Sequence, residues 1–155
     1  MSTVAESYKR EQIIAIAQSW LNTPFCDNAN LKGFGVDCAW FLVKCAEESG
    51  MVEHVEIPPY SPQIYLHKKP DGTWDDTYEK IIRRYAHEIS EAQVKPGDMV
   101  LYKIAHSFSH GGIIESWPDK IIHPIRPHGV IYSSANEGFV QRREHRFFSV
   151  FTENK

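Results

Sequence analysis

The chain has 155 residues, 42% of them hydrophobic, and sets 17 lysines and arginines against 20 aspartates and glutamates for a formal charge of -3. A single core is within reach without staples, since a chain of this size removes roughly 70% of its unfolded surface from water. The charge balance excludes the basic patch of a nucleic-acid binder, no stretch approaches the ~18 apolar residues of a membrane span, and three cysteines at irregular spacing do not make a disulfide framework.

No internal repeat, linker or low-complexity run divides the chain, so residues 1–155 are read as one domain. The N-terminal "MSTVAESYKREQ" has no basic region followed by an apolar core, which implies a soluble chain made in the cytoplasm without its own export signal. Residues 6–21 place Ile13, Ile14, Ala17, Trp20 and Leu21 on one helical face, and Pro24 follows. A second helix starts at Cys38 with Asp37 as its N-cap, buries Ala39, Leu42, Val43 and Ala46, and ends at Gly50. Residues 51–75 hold Pro58, Pro59, Pro62, Pro70 and Gly72 and read as an irregular surface connection. A third helix is expected over 76–88, capped by Asp75 or Asp76, with Tyr78, Ile81, Ile82 and Tyr85 inward.

From "KPGD", a type II turn at Pro96-Gly97, the period changes. "MVLYKI", "HGGIIES", "KIIHPI", "GVIYSS" and "RFFSVF" read as strands of an antiparallel sheet. Helices first and strands afterwards give an α+β class with the helices packed on the sheet.

Cys38 is the residue of most chemical interest. At the first helical position its sulfur meets the positive end of the helix dipole, which favours the thiolate. The same position suits a buried packing residue, with Cys45 seven residues on along the same face, so the residues alone leave both readings open. His110 heads an apolar strand before Gly111 and Gly112, where a backbone or a substrate can approach closely. His123 lies among Ile121, Ile122 and Ile125, where a polar ring needs a partner. If both rings share a face, strand alternation requires His123 to lie near an even-numbered residue of 110–116. His106 and His110 stand four apart in a Ser/Gly context without CxxC or HExxH, so no metal and no cofactor are expected.

Taken in order, "LNTPFCDNANLKGFGVDCAWFLVKCAEESG", "PPYSPQ", "KPGDMVLYK", "SHGGIIE" and "IIHP" resemble the NlpC-type cell-wall cysteine peptidases, in particular the compact branch associated with phage tails and prophages. The resemblance spans about residues 12–133. It implies a papain-like α+β domain that cuts peptidoglycan stem peptides, commonly between γ-D-glutamate and a diamino acid. It implies Cys38 as nucleophile, His110 as base and His123 as the third residue, and it points to Asp37, Phe25, Trp40, Tyr60, Ser109 and Gly111 as oxyanion or groove residues. The implied partners are a muropeptide and phage tail proteins, and the implied location is a virion tail or the cell wall. Trp40 stands where small residues are usual, and Phe25 where a tyrosine hydroxyl is common, with Tyr60 as a substitute donor. Two other readings share the fold: a catalytically silent tail or binding module, and a thiol acyltransferase.

Overall fold

The computed structural model describes residues 3–151. Its elements in chain order are helix α1 (Val4–Ser19), strands β1 (Asn30–Leu31) and β2 (Gly35–Val36), helix α2 (Cys38–Glu48) and helix α3 (Thr77–Tyr85), followed by strands β3 (His87–Ile89), β4 (Met99–Ile104), β5 (Ser107–Ser116), β6 (Lys120–Ile125), β7 (Gly129–Ser133) and β8 (His145–Ser149). The last six strands form one antiparallel sheet in the order β3-β8-β4-β5-β6-β7. The α+β class expected from the sequence is the class observed.

Each helix starts where its capping chemistry dictates. Thr3 accepts the Glu6 N–H at 3.0 Å and opens α1. Asp37 Oδ1 accepts the Trp40 N–H at 3.0 Å and opens α2. At α3 the cap position is Asp76, but the carboxylate that takes the Thr77 N–H, at 3.0 Å, is that of Asp75. Such a side-chain acceptor is worth ~0.5–2 kcal/mol against alanine. Helix α1 is also tied to the "KPGD" turn: buried Arg10 donates to Glu6 at 2.7 Å, to Asp98 at 2.8 Å and to the Pro96 carbonyl at 3.1 Å. Gly97 in that turn has φ +95°, as a type II turn requires.

Alternation divides the sheet into two faces. Met99, Leu101, Ile113, Ile122 and Phe148 pack under α1, α2 and α3 with Ile13, Trp20, Phe41 and Leu42. Val100, Tyr102, Ile114, Ile121 and Phe147 face the other way, onto Val140. Helix α2 is covered on a second side as well, where Val43 meets Val55 and Ile81. That two-sided burial corrects the expected stripe: Phe41 and Cys45 are fully buried, whereas Ala39 and Ala46 are only partly so.

Other boundaries differ: β5 already begins at Ser107, so His110 lies inside the strand rather than at its head, and α1 runs over Val4–Ser19. Helix α3 ends at Tyr85 because Ala86 turns extended (φ -140°, ψ 159°) and residues 87–89 pair with β8 as an edge strand. The β1/β2 hairpin has only two residues per strand, too few for a readable alternation. The 51–76 connection folds one 3-10 turn, Ile64–Leu66, and a Lys68–Trp74 bridge.

Candidate active site

The register of the sheet brings the two strand histidines together. Ile113 pairs with Ile122 and Ile114 with Ile121, which sets His123 opposite Gly112, an even-numbered position, and on the face of His110. Gly112 is what makes room: a Cβ there would lie 2.7 Å from Ile121 Cγ2 and 3.0 Å from His123 Cβ. His110 Nε2 meets His123 Nδ1 at 3.0 Å, and His123 Nε2 meets Ser133 Oγ at 2.8 Å. His110 is 5% exposed and His123 1%. The chain of bonds runs from β7 through β6 to β5 and leaves His110 Nδ1 as the remaining ring nitrogen.

Cys38 reaches the same place from the helix side. Its Sγ donates to the Ser109 carbonyl at 3.3 Å, one residue before His110, where β5 bulges against β4. The Tyr78 hydroxyl donates to the Cys38 carbonyl at 3.4 Å and would lie 2.8 Å from a Cβ at position 111. Cys38, Ser109 and His110 line one cavity of about 420 Å³, roofed by Tyr60 and Ile64 of the 51–76 connection and by Phe139. Phe139 packs edge-on over the His110 ring, centroids 5.3 Å apart, with the Arg143 guanidinium 4.5 Å above its own ring.

The electrostatics correct one expectation from sequence. Burial, with the Asp37 charge adding to it, pushes the Cys38 thiol up to about 12, against the thiolate that the helix dipole favours. Tyr78 and the Gly111 N–H favour the ionised sulfur and pull in the opposite direction without prevailing. The carboxylate of Asp37 is occupied, accepting from the Trp40 and Asn28 N–H groups (3.0 and 2.7 Å) and from the Tyr60 hydroxyl; burial nonetheless raises it above the usual carboxylate range. Burial holds His123 down to about 4. His110 lies well below the ordinary imidazole value, through burial first and then the charges of His123 and Arg143. The resting pair is therefore neutral thiol and neutral imidazole.

The other candidate residues divide. Asp37, Phe25, Tyr60 and Ser109 line the cavity. Trp40 does not: it lies half-buried between the main core and the Val43 cluster, so the bulky residue after Cys38 leaves the groove open and the expectation of a groove role is corrected. Gly111 lies behind the sulfur against Leu42 and Tyr78 rather than on the cavity wall. The Tyr60 hydroxyl is engaged by Asp37. Sequence reasoning missed Tyr78 and Ser133. Tyr78 carries only the signal of an inward helix position, while Ser133 could have been found by strand parity, lying two residues beyond Ile131, the partner of His123. Among the described residues no three His, Cys, Asp or Glu side chains converge on a metal-sized site.

No family model and no curated protein sequence matches the chain. Solved structures do match its fold. The NlpC/p60 domain of the peptidoglycan hydrolase SagA aligns with a TM-score of 0.60 and 19% identity over 88% of this chain and 96% of that one. An NlpC/P60 family protein from Bacillus cereus gives 0.59 and 17% over 88% of this chain and 39% of its own. RipD from Mycobacterium tuberculosis, described as a non-catalytic NlpC/p60 domain protein adapted to peptidoglycan binding, gives 0.56 and 13% over 92% and 98%. The chain thus has the papain-like α+β fold of NlpC/p60 domains.

Proposed function

We propose that this protein is a cysteine peptidase of the NlpC type that hydrolyses an amide bond in peptidoglycan stem peptides. The observation that carries the reading is the buried Ser133–His123–His110 chain, whose last member lines one cavity of about 420 Å³ with Cys38, the first residue of a helix, and directly follows the carbonyl that the Cys38 sulfur bonds. A satisfied core histidine needs one partner. Two imidazoles in series, the first with a nitrogen to spare, make a general base with an orienting group.

In the reaction, His110 Nε2–H donates to His123 Nδ1, and His123 Nε2–H donates to Ser133 Oγ. That tautomer leaves His110 Nδ1 to take the Cys38 proton as sulfur attacks the amide carbonyl. A thiol held near 12 is ionised only on the order of once in 10⁵ at pH 7, so proton removal is coupled to attack rather than completed before it. The developing oxyanion faces the Cys38 N–H, an orphan donor of the first helical turn. His110 returns the proton to the leaving amine as the C–N bond breaks. Water, deprotonated by His110, then releases the acid and restores the thiol.

A second reading, a silent binding module, is favoured by the thiol's orientation: Sγ donates to the Ser109 carbonyl instead of to His110. RipD offers a precedent of that fold. Digestion of purified muropeptides by wild type and Cys38→Ala, with product masses recorded, separates the two. Cleavage by wild type alone supports the peptidase; intact muropeptides that nonetheless bind support the module; cleavage by both removes Cys38 from the chemistry.

A further inference from the structure

We infer that the segment between β7 and β8 is a lid over the base, and that Phe139 is its positioning residue: clamped by Arg143, the ring seals His110 from bulk water. In treating His110 as the base, the inference rests on the hydrolase reading above and deepens it.

The sheet order requires a crossing at this place. Strand β8 inserts between β3 and β4, so residues 134–144 leave β7 at one edge and pass β6, β5 and β4 before pairing resumes. Four strand spacings amount to roughly 19 Å, well within the reach of the segment at ~3.3 Å per residue. The slack lets it fold down onto the sheet. The Ala135 N–H donates to the Pro118 carbonyl at 2.9 Å, and Val140 is buried in the same cluster as Tyr102, the residue paired with His110. Between these anchors the 3-10 turn Gly138–Val140 sets Phe139 over the imidazole, ring centroids 5.3 Å apart at an angle of 76°. Arg143 fixes both ring and backbone: its guanidinium lies 4.5 Å from the Phe139 centroid, and its Nε donates to the Phe139 carbonyl at 2.7 Å.

Phe139 is 45% exposed, whereas His110 beneath it is 5% exposed. A ring kept for packing alone belongs in the core; this one meets solvent and the base. The lid also starts directly after Ser133, so one stretch of chain supplies both the end of the histidine chain and its cover. The titratable and charged groups that face His110 are His123 from β6, Tyr102 from β4 at a centroid distance of 6.2 Å, and Arg143 from the lid, with Cys38 of α2 on the same cavity. The charges of His123 and Arg143 both oppose its protonation, and burial acts in the same direction. The lid contributes cover and a positive charge, and both keep the imidazole neutral and able to accept a proton in mild acid.

The test compares kcat/KM for muropeptide cleavage between pH 7 and 5 in wild type, Phe139→Ala, Phe139→Leu and Arg143→Gln. An imidazole returned to its ordinary value of about 6.5 loses its neutral form roughly 25-fold over that interval. Phe139→Ala is expected to lose about 5- to 25-fold more than wild type loses, because the groups common to both, Asp37 and His123 among them, cancel in the comparison. Phe139→Leu, which still covers the ring, should follow the wild-type profile, and Arg143→Gln should move in the direction of Phe139→Ala. If Phe139→Ala cannot be recovered folded, Arg143→Gln alone must show the shift. A loss by the same factor at every pH, the mark of a merely structural contribution, overturns the lid. If wild type cleaves no muropeptide, the hydrolase reading fails, and NMR titration of the His110 Cε1–H resonance, assigned by its loss in His110→Asn, decides the lid. A ring that stays neutral down to pH 5 in wild type and titrates in Phe139→Ala upholds it; superimposable titrations overturn it.

Discussion

The two buried imidazoles make stability depend on acid in a direction that can be worked out. His123 is held at about 4 in the folded chain against an ordinary value of 6.5. Between those values the unfolded chain binds the proton that the folded chain refuses, so stability is fully present above pH 6.5 and is lost as pH falls toward 4. A shift of that size at 1.36 kcal/mol per pH unit gives about 3 kcal/mol, or roughly 6–12 °C in Tm for a chain of this length. His123 is 1% exposed, so solvent screening removes little of it. His110 is displaced in the same direction and adds to the loss. The control is His123→Asn, which can still accept from His110 and donate to Ser133 but does not titrate. Urea unfolding followed by tryptophan fluorescence between pH 7 and 4 should show the wild-type curve falling about 3 kcal/mol further than the variant's. Parallel curves would refute the claim that folding holds these rings neutral.

Further outcomes follow from the same geometry. Asp37→Asn keeps an N-cap acceptor and removes a negative charge beside the sulfur, so the Cys38 ionisation midpoint should move down and iodoacetamide labelling at pH 8 should quicken about 3- to 10-fold, read on the Cys38 peptide. Cys38→Ala and His110→Ala should abolish muropeptide cleavage, whereas His123→Asn, which removes only the orienting ring, should lose less than the ~10²–10⁴-fold that a positioned base supplies; equal losses at all three with the fold intact would contradict that ranking. Gly112→Ala drives a Cβ to 2.7 Å from Ile121 Cγ2 and 3.0 Å from His123 Cβ, so it should cost about 1–3 kcal/mol in urea unfolding and lower kcat more than it raises KM.

The sequence carried more of this than its two-residue strands and loops would suggest. Asp37 before Cys38 was enough to start α2 at the cysteine, because N-capping is decided by one residue and its neighbours. Period-2 patterning located β4 and β6 to the residue, and parity alone put His123 opposite an even-numbered partner. What was not legible depends on distant packing. The direction of the Cys38 shift is set by burial, contributed by residues 40 and 71 positions away such as Tyr78 and Ser109, whereas the helix dipole is a local effect. The end of α3 was misplaced because strand pairing with β8 claims His87–Ile89, a long-range competitor to helical periodicity. Trp40 looked like a groove residue close to the nucleophile, yet two residues along a helix turn a side chain about 200° away, to the packed side between the main core and the Val43 cluster. Arg126 gave no signal beyond a charge before a proline; only the fold sets it on Phe25.

The central claim is that Cys38 carries the acyl group, and peptide mapping of an acid-quenched reaction tests it most directly. With a γ-D-glutamyl anilide as substrate, whose good leaving group makes acylation fast, the thioester should accumulate and aniline release should show a burst. Tryptic cleavage isolates Cys38 in Gly33–Lys44, apart from Cys26 and Cys45. The account predicts the glutamyl mass on that peptide and neither burst nor adduct in Cys38→Ala; an adduct on another peptide, or a burst that survives the substitution, would contradict it.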